Sequence, residues 1–71
     1  MKSIIFRSKY VKALEQLSSE KRLEAYDAIM AYVFTGEVKT IHTEIAPLVS
    51  MICESIFEDY ERYERAVHNG E

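Results

Sequence analysis

The sequence predicts an all-α fold, a compact three-helix domain with a short extended N-terminal arm and a long C-terminal helix. Two observations predict it. Apolar side chains recur every three or four residues in three segments, and Ser, Gly and Pro stand where helices begin and end. We therefore expect helices over about 8–17, 19–34 and 47–67, after an arm over 1–7. A chain of 71 residues is short enough for one domain, 1–71.

The first helix is predicted to begin at Ser8, a residue type that caps helix N-termini. Its apolar stripe at i, i+4 and i+7 consists of Tyr10, Leu14 and Leu17. Before it, the run 4–6 is apolar and rich in β-branched residues, which leaves a strand, a half-turn or an extended arm open. A sheet formed with residues 38–41 alone would be two-stranded and marginal. We therefore expect an arm packed on the helices of its own chain or of a neighbouring subunit.

The second helix has the clearest boundaries. Ser18 or Ser19 is expected to cap its start, and Glu20 in the first turn suits the helix dipole. Gly36 is expected to end it in the left-handed conformation. Leu23, Tyr26, Met30 and Val33 form the row predicted to face the core, and Ile29 and Phe34 extend it. Ala25 and Ala28 are expected to allow a close approach of other elements.

The third helix carries one long apolar row. Its members are Leu48, Ile52, Ile56, Tyr60, Tyr63 and Val67. Val49, Cys53 and Phe57 broaden this row in its first half only. Pro47 must lie in or next to the first turn, because a helix interior would not tolerate it. The first half is therefore predicted to be core, and the second half a narrower contact with something else.

Composition points to association in a reducing compartment. A core this small is marginal on its own, and a single cysteine excludes an internal disulfide. The first 22 residues carry six basic and two acidic side chains, whereas the rest carry three basic and ten acidic ones. This asymmetry favours oppositely charged protein surfaces, including copies of the same chain, over wrapping of nucleic acid. No apolar segment is long enough to span a bilayer, so we expect a cytoplasmic protein without a membrane partner.

The motifs of common enzyme classes are missing from the sequence. It has no Gly-rich phosphate loop, no paired cysteines, no helical His pair and no nucleophile elbow. His42 and His68 are far apart and lack neighbouring ligands. We therefore expect no catalytic residues, no cofactor and no metal site.

Two sets of residues remain as candidate contacts. The first set, a partner or self-association interface on the late part of the third helix, consists of Tyr60, Arg62, Tyr63 and Val67. Tyr and Arg are enriched at interfaces, although ordinary tertiary packing would also explain the two tyrosines. The second set, a candidate anion contact, consists of Lys2, Arg7, Lys9 and Lys12. Scattered charges of this kind more often form solvated surface than a phosphate site.

Several short motifs extend over residues 4 to 63: Ile4-Ile5-Phe6, Tyr10, Leu17-Ser18-Ser19-Glu20, Tyr26-Asp27-Ala28-Ile29, Tyr32-Val33-Phe34 with Gly36, and Arg62-Tyr63. Together they resemble a small helical domain family of unknown function that is encoded in phages and prophages, often near phage replication genes. The matching residues are mostly core and capping positions. The resemblance therefore implies a fold and a genetic setting, and it supplies no catalytic or binding residues.

Three functions are compatible with these observations. The first is a non-enzymatic, homo-oligomeric phage-type module that binds a protein partner, such as a replication component, in the bacterial host cytoplasm. The second is a phage inhibitor of a bacterial defence system, which an acidic surface would suit. The third is a nucleic-acid-binding accessory protein that uses the basic first helix, and the excess of acids makes it the least favoured of the three.

Overall fold

The computed structural model describes residues 3–38 and 44–69, with side chains as far as Val67. This part of the chain forms three α-helices and no strand. The helices are α1 (Ser8–Glu15), α2 (Ser19–Thr35) and α3 (Ala46–Asn69). The predicted all-α, three-helix class is confirmed. Of the residues singled out from the sequence, Lys2 and His42 lie outside the described part of the chain.

α1 is shorter than predicted and is capped differently. Arg7 occupies the N-cap position and Ser8 is already helical, so the expected Ser8 cap is wrong, and no side chain bonds the free amides there. At the other end the helix stops at Glu15 and tightens into a turn, in which the Leu17 amide donates to the Leu14 carbonyl at 3.1 Å. The Arg22 guanidinium of α2 donates to the carbonyl of Leu17 at 3.1 Å. That side chain replaces the bonds that a longer α1 would have made.

α2 begins and ends at the residues that the sequence indicates. The Ser18 hydroxyl accepts a hydrogen bond from the Lys21 amide at 3.4 Å, which caps the N-terminus. Gly36 adopts a φ of 79°, and its amide donates to the Tyr32 carbonyl at 2.7 Å. A left-handed glycine thus closes the last turn, as predicted.

The buried face of α2 differs from the predicted row. The buried residues are Ala25, Ala28, Ile29, Tyr32 and Val33. Of the predicted row and its extension, Ile29 and Val33 are buried and Tyr26 is partly buried. Leu23, Met30 and Phe34 are exposed, which corrects that part of the prediction. The reason is that apolar side chains occur all around α2, so their spacing does not select one face. The small alanines allow a close approach to the neighbouring helices, and the larger residues point outwards.

The contacts between elements define their directions. Lys21 at the start of α2 forms an ion pair with Glu44, which immediately precedes α3. The Tyr10 hydroxyl in α1 donates to the Ser55 hydroxyl, farther along α3. The beginnings of α2 and α3 therefore lie side by side, and α1 runs in the opposite direction to α3.

One apolar core joins the three helices and the arm. Its buried members are Tyr10, Leu14, Ala25, Ala28, Ile29, Tyr32, Ile45, Val49, Ile52, Cys53 and Ile56. In the arm, Ile4 and Phe6 pack against this cluster. The Phe6 ring meets Tyr10 edge-on at 5.4 Å and stacks on Tyr26 at 6.1 Å between centroids. The arm is thus extended and packs on the helices of its own chain, which is one of the two arrangements expected.

Candidate interaction surface on the third helix

The core-facing side of α3 continues beyond the core itself. In the first half of the helix, Val49, Ile52, Cys53 and Ile56 are buried on this side and Leu48 is partly buried. The same side then presents Tyr60, Tyr63 and Val67, at steps of four, three and four residues after Ile56. Tyr60 is partly buried, whereas Tyr63 is 54% and Val67 42% exposed. We call these three residues the α3 seam.

Helix length explains why the α3 seam is uncovered. α3 has 24 residues and α2 has 17, which corresponds to about 36 Å and about 26 Å. Because the two helices start side by side, the last turns of α3 extend past the rest of the domain. The dimensions of 45 × 22 × 16 Å agree with such a projection. The first half of α3 is thus core, as predicted, whereas a contact made by its second half stays a prediction.

Asp59 marks the position on α3 where the core ends. It is only 5% exposed. The Arg7 guanidinium donates from Nε to Oδ2 and from Nη2 to Oδ1, each at 2.8 Å. Arg62 adds a longer contact of 3.4 Å to Oδ1. The hydrogen bonds from Arg7 hold the pKa of Asp59 below its ordinary value, and the same bonds raise the pKa of Arg7.

This ion pair changes the role available to Arg7 in the candidate anion contact. Its guanidinium is already bound to the Asp59 carboxylate, whose negative charge offsets the attraction of Arg7 for a phosphate. Lys9 lies over the Tyr10 ring, with Nζ 5.8 Å from the centroid, and Lys12 is exposed in the last turn of α1. Arg7 and Lys9 both lie close enough to Asp59 for their charges to lower its pKa, so this carboxylate partly offsets the positive charge of the set.

The seam tyrosines differ in their surroundings. Loss of hydration on partial burial, followed by the charge and hydrogen bonding of Glu64, raises the pKa of the Tyr60 hydroxyl. Tyr63 presents a largely open ring beside it. Arg62 has a side chain 72% exposed and lies at one border of the seam. The arrangement is an apolar strip with polar tips and flanking charges, which is typical of a protein-binding surface.

The described part of the chain contains side chains of the types that bind a metal ion and one cysteine thiol. Within 3–38 and 44–69, no three His, Cys, Asp or Glu side chains group closely enough to hold a metal ion. Cys53 is 1% exposed, and burial raises the pKa of its thiol, whereas a nucleophilic cysteine needs a lowered pKa and access. A depression lined by Glu58, Glu61, Arg62 and Arg65 lies along the exposed side of α3 and carries charges of both signs.

A second exposed apolar surface was missed from the sequence. Leu23, Met30 and Phe34 on α2 are 63%, 38% and 84% exposed. Steps of seven and four residues place them on one side of the helix, opposite Ala25 and Tyr32. The spacing of apolar residues on α2 could have revealed this surface. Apolar residues lie on two sides of α2, and a helix of a three-helix domain can bury only one of them. We call this surface the outer α2 face.

These features define an all-α three-helix domain with two exposed apolar surfaces. The chain belongs to a family of unknown function, DUF6291, whose model matches residues 3–71. No curated protein and no solved structure matches it. Among the residues that the structure describes, no helix combines the length and the apolar character needed to cross a membrane.

Proposed function

We propose that this protein is a non-enzymatic interaction module that assembles with copies of itself through the α3 seam. The observation that carries the proposal is the continuation of the core-facing side of α3 into exposed Tyr63 and Val67. In the first half of the helix, residues in this register pack against α1 and α2. Beyond Asp59, a second copy would supply the missing surface.

Burial of the exposed apolar surface of the α3 seam favours self-association. A chain of 71 residues buries a smaller fraction of its surface than a typical domain does, so further burial is a useful gain in stability. Val67 is 42% exposed, and covering that remaining part contributes about 0.5–1 kcal/mol. The seam is bordered by Arg62 on one side and Glu64 on the other, so charge of a single sign does not surround it and repel an identical copy.

The proposed setting is a phage or prophage gene acting in the bacterial cytoplasm, with a replication protein as the partner. Its support is the resemblance of the core and capping motifs to phage-encoded domains. The charge distribution also supports a protein partner, because residues 23–71 carry ten acids and three bases. Binding of nucleic acid through α1 has less support, since Arg7 is bound to Asp59.

The self-association is tested by light scattering coupled to size-exclusion chromatography at low micromolar concentration. We expect the wild-type chain to be a dimer or larger, and Tyr63→Asp and Val67→Asp to weaken association at least about tenfold, because each places a charge in the contact. The matched control is Met51→Asp, which changes an exposed residue of the same helix away from the seam (59% exposed). A wild-type monomer with full helix content would refute the proposal.

The choice of partner is tested separately. The tagged chain is mixed with the purified replication proteins of the phage or prophage whose genome encodes it, and binding is measured by interferometry. Saturable binding of one of them supports the replication setting. If none of them binds while the chain still associates with itself, the proposal of a self-associating module is kept and the proposal of a replication partner is rejected.

A further inference from the structure

The outer α2 face is too apolar to be ordinary solvated surface. Phe34 is 84% exposed, which is unusual for an aromatic side chain, and Leu23 and Met30 line up with it along the helix. Val38, just after the helix, is 51% exposed as well. Several large apolar side chains exposed along one side of a helix indicate a binding surface.

Acidic side chains border and interrupt this face. Asp27 lies between Leu23 and Met30, and Glu20 and Glu24 follow one edge; all three acids are exposed. The two cations of α2 are used elsewhere, since Lys21 pairs with Glu44 and Arg22 bonds the carbonyl groups at the end of α1. Within 3–38 and 44–69, no cation forms an ion pair with any of the three acids.

We propose that the outer α2 face binds a cationic amphipathic helix of a partner protein. Positions 23, 27, 30 and 34 follow steps of four, three and four, the spacing of a helix-pairing seam. Three of them are apolar and one is an acid, so a matching helix presents apolar residues with Lys or Arg opposite Asp27. This inference extends the proposed function by giving the chemistry of a protein partner, on a face separate from the α3 seam.

Charge argues against the other occupants. In a parallel pair of α2 helices, Asp27 would face its own copy. Asp27 is close to the midpoint between Leu23 and Phe34. In an antiparallel pair centred on the outer α2 face, the Asp27 carboxylates of the two copies would therefore lie within about one helical turn of each other. Like charges so placed oppose pairing. The same acids repel the phosphates of nucleic acid and of anionic lipids.

Two labelled peptides test the proposal by fluorescence anisotropy with the full chain. One has three heptads with Leu at the pairing positions and Lys at the flanking positions, and the other has Glu in place of Lys. We expect saturable binding of the Leu/Lys peptide and binding of the Leu/Glu peptide at least about tenfold weaker. Failure of the Leu/Lys peptide to bind, or equal binding of both, would overturn the proposal.

Variants show whether binding uses this face. The double substitution Leu23→Gln with Phe34→Gln should weaken binding of the Leu/Lys peptide at least about tenfold, because it removes two buried apolar contacts. Met51→Gln with Phe57→Gln changes two exposed apolar residues of α3 and should have no effect. Circular dichroism confirms that each variant is folded. If both double variants bind like the wild-type chain, the peptide is held elsewhere and the proposal fails.

Two further variants separate this inference from its alternatives. Asp27→Lys should reverse the preference and favour the Leu/Glu peptide. Tyr63→Asp should bind the Leu/Lys peptide as the wild type does, because Tyr63 lies outside the outer α2 face. If this variant no longer associates with itself but still binds the peptide, the two surfaces act independently and the proposal for the outer α2 face is supported. Binding of the chain to phosphatidylglycerol vesicles, lost on the Leu23→Gln, Phe34→Gln substitution, would identify a membrane surface and overturn the proposal.

Discussion

Arg7 and Asp59 are 52 positions apart in the sequence, yet the Arg7 guanidinium donates two hydrogen bonds of 2.8 Å to the Asp59 carboxylate. The pair joins the end of the arm to the position on α3 where burial stops. The Asp59 side chain is 5% exposed and that of Arg7 is 43% exposed. The contact thus fixes the arm, and with it Phe6, against the helices. It also closes the core beneath the α3 seam.

Removal of Arg7 should destabilise the fold more than removal of Arg62. Arg7→Ala leaves a buried carboxylate without its two-pronged partner, whereas Arg62→Ala removes a contact of 3.4 Å from a side chain that is 72% exposed. Thermal unfolding followed by circular dichroism should show the lower midpoint for Arg7→Ala. In a double-mutant cycle of Arg7→Ala with Asp59→Asn, the double variant should lose less free energy of unfolding than the sum of the two single variants. Additive costs would mean that the pair contributes no coupling.

The same ion pair should make stability depend on pH on the acid side. Because hydrogen bonding lowers the folded-state pKa of Asp59, its ionised form stabilises the fold above the ordinary Asp pKa of about 3.9. That contribution is lost as the pH falls from there through the lower folded-state pKa. Urea unfolding between pH 7 and pH 2 should therefore show a steeper loss for the wild type than for Asp59→Asn. Equal slopes for the two proteins would contradict this.

Gly36 should tolerate replacement poorly for a purely conformational reason. Its φ of 79° is a left-handed conformation, and a Cβ added there would meet no atom within 4 Å. Gly36→Ala should therefore lower the free energy of unfolding by about 1 kcal/mol, without any clash. Gly36→Asn should cost less, because Asn adopts this conformation more readily. A larger loss for Asn than for Ala would show that space rather than backbone conformation is limiting.

The observed burial of α2 predicts an unequal pair of substitutions. Leu23→Ala removes more atoms than Ile29→Val, but Leu23 is 63% exposed and Ile29 is fully buried. We expect Leu23→Ala to change the free energy of unfolding by no more than about 0.5 kcal/mol. Ile29→Val should cost about 1 kcal/mol. A loss of 2 kcal/mol or more for Leu23→Ala, typical of a core leucine (about 2–5 kcal/mol), would restore the face first predicted from the sequence.

Local signals in the sequence were sufficient for both ends of α2, for the start of α3 and for the narrowing of its apolar row. Ser18, Gly36 and Pro47 each act on the turn that contains them, so they place helix ends without knowledge of the fold. The seam followed from the narrowing of the apolar row beyond Phe57, because that row keeps one register along the whole helix.

The features that sequence reasoning missed depend on contacts between distant elements. Nothing near Arg7 indicates that its partner is Asp59. The length of α1 depends on Arg22, which comes from the next helix. On α2, the close approach at Ala25 and Ala28 was predicted, but the spacing did not show which of the larger apolar residues would then point outwards. The outer α2 face consists of the apolar residues that this packing leaves outside, so it could be identified only once the packing of the helices was known.

Cys53 should report the opening of the core directly. Its side chain is 1% exposed in the middle of α3, and burial raises the pKa of its thiol. The thiolate is the nucleophile that attacks a disulfide reagent, so the buried thiol of the folded chain should react only through transient unfolding. We expect modification by a disulfide reagent to be slow in buffer and to accelerate with urea in parallel with unfolding measured by circular dichroism. The matched control is Met51→Cys in a Cys53→Ala background, two residues away and exposed, which should react at once in buffer. Equally rapid labelling of Cys53 in buffer would mean that the core opens without global unfolding, and that the packing of α3 against α1 and α2 is weaker than its burial implies.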